Sequence, residues 1–451
     1  MKAKNDFQHT LLMILVCILP IFVFFVLVLS GVSISPIFFF LFIAICCIAM
    51  YYMMGASHGH PVSDDEESDK EALHHQDQIE EQNIAVPNYL YGIFHADKSY
   101  KSESDLVYEG RFLIDTDSAY QRLNDTLKNS SAKALFQEDD AGRNFIIVTM
   151  DKSKTTSASK QKTWINALLF ILTFLTTTWA GAAQVGINLL MEPDKFSAGL
   201  TYSIPLILIL GVHELGHYFA ARKHGIKVTL PYFIPVPFAL GTFGAFIQMK
   251  SVAENRKSLF DVGIAGPLAG LVIAIPALII GIQNSAIIPL TNQSTMQSGA
   301  DVGSSILFAL ITKLTLGQEL LAGHTLLLSP LAFAGWLGLL LTGLNLVPVG
   351  QLDGGHVAHA LFGRKNAHTI GVVAMFALLL LGLFVWSGLI TWAIIIFFLA
   401  GIKSAPTLND VSKLDNKRTA LGLIAFIILF LILIPLPHSF YQSLGIYCPY
   451  V

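Results

Sequence analysis

Long, nearly uncharged apolar runs recur along the chain and leave it few folds to choose from. A helix needs roughly 20 consecutive apolar residues to cross a bilayer. Only 13% of the 451 residues are charged, about half the share usual in soluble domains. The sequence therefore predicts a polytopic α-helical protein embedded in a lipid bilayer, with about nine spans. The predicted spans are Thr10–Ser30, Pro36–Met54, Trp164–Leu189, Ala198–Arg222, Leu259–Gln283, Thr325–Val347, His368–Val385, Leu389–Lys403 and Thr419–Leu436.

Lysine and arginine predict how these spans are oriented. With nine spans, clusters such as Arg222–Lys227 and Lys250–Lys257 all fall on one face, which the positive-inside rule makes cytosolic. The amino terminus and residues 56–162 are then cytosolic, and the carboxyl terminus lies outside. The first span follows Lys2 and Lys4 as a signal peptide would, but its length favours a retained anchor. No transit-peptide signature precedes it, so the sequence favours a bacterial-type plasma membrane.

The segment between the second and third spans differs in composition from the rest. Residues 1–55 contain two membrane anchors, and residues 56–83 are acidic and poor in apolar residues, which predicts a flexible linker. Residues 84–152 contain enough apolar residues for a small cytosolic α+β module. No catalytic constellation is visible in this module, so we expect it to bind a cytosolic partner or to regulate. Its predicted elements are a strand at Val107–Ile114, a helix at Ser118–Asn129 capped by Asp117, and strands at Ala134–Gln137 and Asn144–Met150.

Composition disfavours several other kinds of site. A net charge of −3 leaves no basic surface that would hold a nucleic acid. The 4 cysteines show no metal-ligand spacing. Histidines in the acidic linker could bind a metal or sense pH, although acidic linkers often contain solvated histidines. These linker histidines are His58, His60, His74 and His75.

The pentad His213-Glu214-Leu215-Gly216-His217 lies inside the fourth predicted span. Helical positions i and i+4 share a face, so both imidazoles can reach one metal ion. In this HExxH arrangement zinc acidifies water and the glutamate acts as general base. An ionisable side chain at mid-span costs about 3 kcal/mol. Three of them within five positions therefore favour a metal site over a satisfied buried histidine.

A catalytic zinc ion usually takes three protein ligands, and the sixth predicted span supplies candidates for the third. Pro348 and the glycines around it predict a break in the helix, which is tolerated at membrane depth only inside protein or beside a wet cavity. Asp353 in this break is the favoured third ligand, and His356 is its rival. Asn345 could donate a hydrogen bond to a substrate carbonyl or to an oxyanion.

Together these motifs resemble the site-2 protease family of intramembrane zinc metalloproteases (M50-type). HELGH and the later NLVPVGQLDGG carry the resemblance, and Pro231–Gln248 and Ser258–Gly270 resemble its branch of chloroplast EGY-like proteins. The resemblance covers roughly half of the chain. It implies one Zn²⁺ per chain, with Glu214 as the catalytic base and a supporting catalytic role for Asn345. The metal ligands that it implies are His213, His217 and Asp353.

The resemblance covers residues 164–403, which we predict to be a catalytic membrane core. A carboxyl-terminal span and tail follow it at residues 404–451. Small and bulky residues alternate in Gly241–Met249, directly after the HELGH span. We therefore predict a re-entrant hairpin near residues 228–250 that pairs with an unwound substrate by strand addition. An ordinary amphipathic connector is the alternative for this segment.

The sequence thus predicts an endopeptidase that cuts a membrane-protein substrate within or near its transmembrane segment, as in regulated intramembrane proteolysis. A catalytically silent scaffold that binds transmembrane segments is the alternative, although Glu214 is intact. A metal transporter is a third reading. Transporters commonly contain paired repeats of broken helices, and the sequence has no second copy of either motif.

Overall fold

The computed structural model describes residues 86–102, 105–128, 130, 132–139, 141–150, 163–236, 240–289, 305–317, 324–384, 388–401 and 404–434. The two predicted amino-terminal anchors, the acidic linker with its histidines, and all four cysteines lie outside the described residues.

Helices and strands alternate along the described part of the chain. The helices are α1 (Thr116–Leu127), α2 (Thr163–Gln184), α3 (Ser197–Lys223), α4 (Arg256–Gln283), α5 (Ile306–Leu316), α6 (Pro330–Asn345), α7 (Asp353–Phe362), α8 (Arg364–Phe384), α9 (Gly388–Ala400) and α10 (Asn416–Leu433). The strands are β1 (Phe94–Ser102), β2 (Asp105–Phe112), β3 (Ala132–Glu138), β4 (Asn144–Met150), β5 (Tyr232–Pro235), β6 (Thr242–Phe246), β7 (Ala286–Pro289) and β8 (His324–Leu327).

Within the described residues, 5 helices are long and apolar enough to cross a membrane. They correspond to α2, α3 with the short turn before it, α4, α8 and α10. Two further apolar helices, α5 and α6, are shorter. The structure is therefore that of a helical membrane protein, but the predicted count of about nine spans is not confirmed.

Two of the predicted spans are shorter than the sequence suggested. The predicted span Thr325–Val347 begins as strand β8, which pairs with β7, and becomes a helix only at Pro330. Ser329 caps this 16-residue helix by accepting a hydrogen bond from the amide of Ala332. The predicted span Leu389–Lys403 contains only the 13-residue helix α9, which rises about 20 Å. Apolar composition alone did not distinguish strand from helix here.

Residues 86–150 form a small domain with a four-stranded antiparallel sheet in the order β1-β2-β4-β3. Helix α1 packs its buried face, which includes Tyr120 and Leu123, against the sheet. The ring of Phe136 lies in the middle of this core, 5.3 Å from the ring of Tyr120 and 4.9 Å from that of Phe112. The domain therefore has a hydrophobic core of its own.

The ends of β2, α1 and β3 are shifted from the prediction by up to two residues, and the helix cap and one strand differ altogether. The prediction that Asp117 caps the helix is wrong, because Asp115 is the N-cap and accepts a hydrogen bond from the amide of Ser118. Strand β1 was not predicted. It is a polar edge strand, and a sequence such as HADKSYKS has no apolar alternation to reveal it. Strand β4 has the predicted bounds, Asn144–Met150.

Close approach of helix backbones organises the membrane helices. A Cβ atom on Gly199 of α3 would lie 1.9 Å from the carbonyl oxygen of Thr178 in α2. A Cβ atom on Gly335 of α6 would lie 2.6 Å from the backbone nitrogen of Leu278 in α4. Small residues at such crossings are typical of helix packing in membranes. Helix α3 thus packs directly on α2, α4 and α6, and α4 also packs on α6. Helix α9 belongs largely to a separate compact unit.

Candidate metal centre

Three side chains from two helices bring their ligand atoms together. His213 and His217 lie one turn apart on α3, and Asp353 is the first residue of α7. The two Nε2 atoms lie 3.2 Å apart, and each is 3.2 Å from Oδ2 of Asp353. Within the described part of the chain, this is the group of histidine, cysteine and acidic residues that could hold a metal ion.

The spacing of these three atoms fits a metal ion. Tetrahedral zinc with nitrogen and oxygen ligands about 2.0–2.1 Å away separates its ligand atoms by about 3.3 Å. The observed triangle of 3.2 Å matches that separation on all three sides. The two histidine rings and the carboxylate therefore present a set of ligands that one zinc ion could bind, with a fourth position left for water.

The ring of His217 is oriented by the neighbouring helix. Its Nδ1 lies 2.7 Å from the carbonyl oxygen of Val262 in α4, so Nδ1 carries the proton and donates it. The proton on Nδ1 leaves the lone pair of Nε2 free to bind a metal, and such a backbone partner also fixes the orientation of the ring.

Glycines of α4 make room for both imidazoles. A Cβ atom on Gly266 would lie 2.1 Å from Nε2 of His217, and one on Gly270 would lie 3.1 Å from Nδ1 of His213. From the other side, a Cβ atom on Gly216 of α3 would lie 2.6 Å from the carbonyl oxygen of Ala265. Helix α4 therefore forms one wall of the site. Gly266 and Gly270 belong to the motif Ser258–Gly270, but no role was predicted for either of them from the sequence.

A tight turn after α6 carries Asp353 to the two histidines. The turn contains Gly350, which has a φ of +50°. A Cβ atom on Gly354 would lie 1.8 Å from the carbonyl oxygen of Leu346, and one on Gly355 would lie 2.3 Å from that of Gly350. These glycines are therefore required for the backbone to fold back on itself, as the predicted break in the helix anticipated.

The other predicted site residues lie around this triangle. Asn345 ends α6, and its Nδ2 is 3.4 Å from Nε2 of His213. Glu214 is 5% exposed, and the backbone of Ile247 lies near its carboxylate. His356, the rival third ligand, is not in the triangle, and its Nδ1 is buried without a partner.

An antiparallel hairpin passes beside the site. Strands β5 and β6 pair with Tyr232 opposite Phe246, and Ile247 follows β6 directly. Both ends of the hairpin are held by α2: Asn166 donates to the carbonyl of Pro231 at 2.9 Å, and Thr176 donates to that of Gly241 at 2.7 Å. The hairpin is therefore fixed relative to α2, which packs on the helix that carries Glu214. Its location within the membrane stays a prediction.

Comparison with known proteins agrees with this geometry. Residues 201–382, which include all five predicted site residues, match peptidase family M50. The probable zinc metalloprotease EGY2, chloroplastic, of Arabidopsis thaliana is 29% identical over 346 residues, which is 75% of this chain and 61% of the relative. The probable zinc metalloprotease EGY1, chloroplastic, of Oryza sativa subsp. japonica is 32% identical over 281 residues, which is 61% of this chain and 47% of the relative. No solved structure matches.

The extent of the similarity has two consequences. A stretch covering 75% of this chain is longer than everything from residue 163 to residue 451, so the similarity to EGY2 includes part of the small domain. The chain spans only about half to three fifths of the length of these curated relatives.

The relatives also correct one expectation. They are named as chloroplastic proteins of plants, so the prediction of a bacterial-type plasma membrane is wrong, and the assignment of residues 56–162 to a cytosol falls with it. The amino-terminal sequence did not indicate the similarity to chloroplastic proteins, whereas the motifs around the candidate metal centre did. HELGH and NLVPVGQLDGG, which are brought together at that centre, both lie in the stretch, residues 201–382, that matches peptidase family M50.

Proposed function

We propose that the chain is an intramembrane zinc metalloendopeptidase, which hydrolyses a peptide bond within or near a transmembrane segment of a membrane-protein substrate. One observation carries the proposal. Two histidines and an aspartate form a triangle of ligand atoms with 3.2 Å sides, and a buried glutamate lies on the same helix as both histidines. The names of the relatives and the apolar helices around the site support it.

In this proposal, His213, His217 and Asp353 hold one zinc ion, which would supply a Lewis acid able to acidify water and polarise a carbonyl group. Glu214 acts as general base, because its carboxylate accepts a proton from water. Its burial excludes bulk solvent from that carboxylate. Asn345, whose Nδ2 lies beside His213, donates a hydrogen bond to the substrate carbonyl as negative charge develops there.

The hairpin β5–β6 positions the substrate in the same proposal. A helical substrate must unwind before its carbonyl groups are accessible, and an unwound segment needs new partners for its backbone. An exposed strand can supply them by strand addition. The proximity of the Ile247 backbone to the carboxylate of Glu214 supports this role, because it puts the end of β6 beside the base. The side chains of Phe243 and Phe246 are 40% and 48% exposed and could contact the substrate.

The central test combines metal analysis with cleavage. Purified wild type should contain about one zinc ion per chain and cut a membrane-embedded peptide. His213→Ala and Asp353→Ala should lose cleavage and bind zinc far more weakly than the wild type, whereas Glu214→Gln should keep the zinc and lose cleavage. Absence of zinc from the wild type would refute the proposal. Zinc without any cleavage would favour a scaffold that binds transmembrane segments.

The hairpin is tested separately. Proline at position 243 or 246 removes one backbone N–H from β6, whereas Phe243→Ala and Phe246→Ala remove only the ring. The proline variants should abolish cleavage while zinc content stays at the wild-type level, and the alanine variants should retain cleavage. Unchanged cleavage in both proline variants would rule out pairing along β6.

A further inference from the structure

An extended segment, residues 404–412, connects the small domain to the metal centre, and we refer to it as the strap. At the free edge of β3, the amide of Phe136 donates to the carbonyl of Leu408 at 2.8 Å, and the amide of Asp410 donates to the carbonyl of Phe136 at 2.9 Å. The side chain of Asn409 donates to the carbonyl of Thr116 at 3.1 Å. The strap thus continues the sheet of the small domain by one short parallel bridge.

The strap is also bonded to the beginning of α4. The amide of Leu408 donates to the carbonyl of Ala253 at 3.0 Å, and the amide of Asn409 donates to that of Glu254 at 2.7 Å. The amide of Arg256 donates to Oγ of Ser412 at 3.0 Å. Because backbone groups of both elements take part, the strap has a defined position relative to the helix that walls the metal centre.

The third attachment is to α7, through a fully buried histidine. His359 is 0% exposed, and its Nε2 donates to Oδ1 of Asp410 at 2.7 Å. Its Nδ1 lies 3.0 Å from Oγ of Ser404. Thr407 donates to the same oxygen of Asp410 at 2.9 Å. Burial opposes ionisation of Asp410, but the hydrogen bond that His359 donates outweighs it, so the pKa of Asp410 is below its usual value.

His359 and Asp353 lie on the same short helix. Helix α7 has 10 residues, and six positions correspond to a rise of about 9 Å. Besides the strap, the packing of Val357 and Ala360 against α4 holds this helix. Apolar packing is not directional, whereas a metal site tolerates displacements of only about 0.2 Å in its ligand distances. A directional hydrogen bond from the middle of the helix can supply the missing restraint.

We infer that His359 and Asp410 are positioning residues, which hold α7 at the height and rotation that place the carboxylate of Asp353 against His213 and His217. The small domain takes part, because it anchors the strap that carries Asp410. The inference rests on the proposed zinc site. It gives the small domain a structural role in the metal centre, whereas the sequence suggested only partner binding or regulation.

The experiment measures zinc affinity of the full-length protein by competition with a chromophoric chelator. His359→Ala and Asp410→Ala should each weaken zinc binding about 10–100-fold, as expected when a group that orients a metal ligand is lost. Asp410→Asn keeps an oxygen that accepts from Nε2 of His359, and should therefore restore most of the affinity lost in Asp410→Ala.

A double-mutant cycle distinguishes positioning from general loosening. If His359 acts through Asp353, then His359→Ala should weaken the residual zinc binding of Asp353→Ala by less than twofold. A loosened structure would weaken binding equally in both backgrounds. The matched control is His224→Ala, which removes a second histidine–aspartate pair with a 2.9 Å contact to Asp261. Arg418 remains bonded to Asp261 in that variant, so zinc affinity should stay at the wild-type level.

The outcomes separate this inference from the proposed function. Lack of zinc binding by the wild type refutes the zinc site itself. Normal zinc affinity in both His359→Ala and Asp410→Ala, with a wild type that binds, overturns only the positioning role. The positioning role is also overturned if His359→Ala lowers zinc affinity equally in the wild type and in Asp353→Ala. If the alanine variants do not fold, His359→Leu and Asp410→Leu, which fill the space but neither donate nor accept a hydrogen bond, are measured in their place, and unchanged affinity in both again overturns the inference.

Discussion

Helix α1 of the small domain and helix α3, which carries two of the candidate metal ligands, each bury one face, but their exposed faces differ. In the small domain, Leu123 of α1 is fully buried, whereas Arg122 and Asn124 beside it face water. In α3, Leu206 is fully buried, but Leu208 and Phe219 on the exposed face are equally apolar. Water selects polar residues for the outer face of the first helix, whereas lipid makes no such selection on the second.

Because of this difference, different sequence features mark the buried face in each region. In the small domain, the alternation of polar and apolar residues marks which face is buried. In the membrane core, glycines mark it. Gly266 and Gly216 permit contacts that no Cβ atom could accommodate. The membrane core should therefore be sensitive to one added methyl group at a few positions, and the small domain to the loss of large apolar side chains.

The largest expected effect comes from removing the central ring of the small domain. Phe136→Ala should lower the free energy of unfolding of this domain by about 3–5 kcal/mol, because it leaves a cavity among fully buried side chains. Phe219→Ala, which removes a ring that is 64% exposed on α3, should change stability by less than about 0.5 kcal/mol. Hydrogen exchange of residues 86–150 and thermal unfolding of the full chain measure the two effects. Equal losses would mean that the exposed face of α3 is not a lipid-facing surface.

Adding a single methyl group at a close helix contact should strongly perturb the membrane core. Gly266→Ala places a carbon atom 2.1 Å from Nε2 of His217, so the ring must move, and zinc affinity should fall at least about 100-fold, or about 2.7 kcal/mol. Gly211→Ala is the matched control on α3, since the nearest atom to its added Cβ is 3.8 Å away. Chelator competition measures both variants. A Gly266→Ala protein that retains wild-type affinity would contradict the close contact between α4 and His217.

The smallest effect concerns the cap of α1. Asp115→Ala removes the side chain that accepts from the amide of Ser118, and should lower the local stability of α1 by about 1 kcal/mol. Asp117→Ala should leave the stability of α1 almost unchanged, because its carboxylate contacts Lys257 at 2.5 Å and Asn409 at 3.3 Å, both outside the small domain. Exchange rates of the α1 amides distinguish the two. A larger loss in Asp117→Ala would show that docking, rather than capping, stabilises the helix.

The candidate site was largely accessible from the sequence because its chemistry is local. HELGH places two imidazoles on one face of any helix, and the glycines and proline before Asp353 announce a break in the backbone. The structure brings His213, His217 and Asp353 together and leaves His356 outside the triangle. The groups that orient the histidine rings could not be predicted from the sequence, because Val262 contributes only a backbone carbonyl oxygen and Gly266 only the absence of a side chain.

The lengths of the membrane segments were predicted less well. The apolar run that begins at Thr325 includes strand β8 before helix α6, and nothing in its hydropathy separates the two. The edge strand β1 escaped prediction because most of its residues are polar; Phe94 is its one fully buried side chain, and Ala96 packs against the same core. Too few apolar residues alternate along it to reveal a period of two.

The sequence alone determined that the chain enters a membrane, that residues 84–152 differ from the rest, and which side chains could bind a metal. These properties follow from hydropathy and from spacing along one helix, and both are local. Only the tertiary structure decided that Asp353 meets the two histidines across 140 positions of sequence, that α4 makes room for their rings, and that the strap links the small domain to α7. These contacts join distant segments through backbone groups and glycines, whose partners depend on the path of the whole chain.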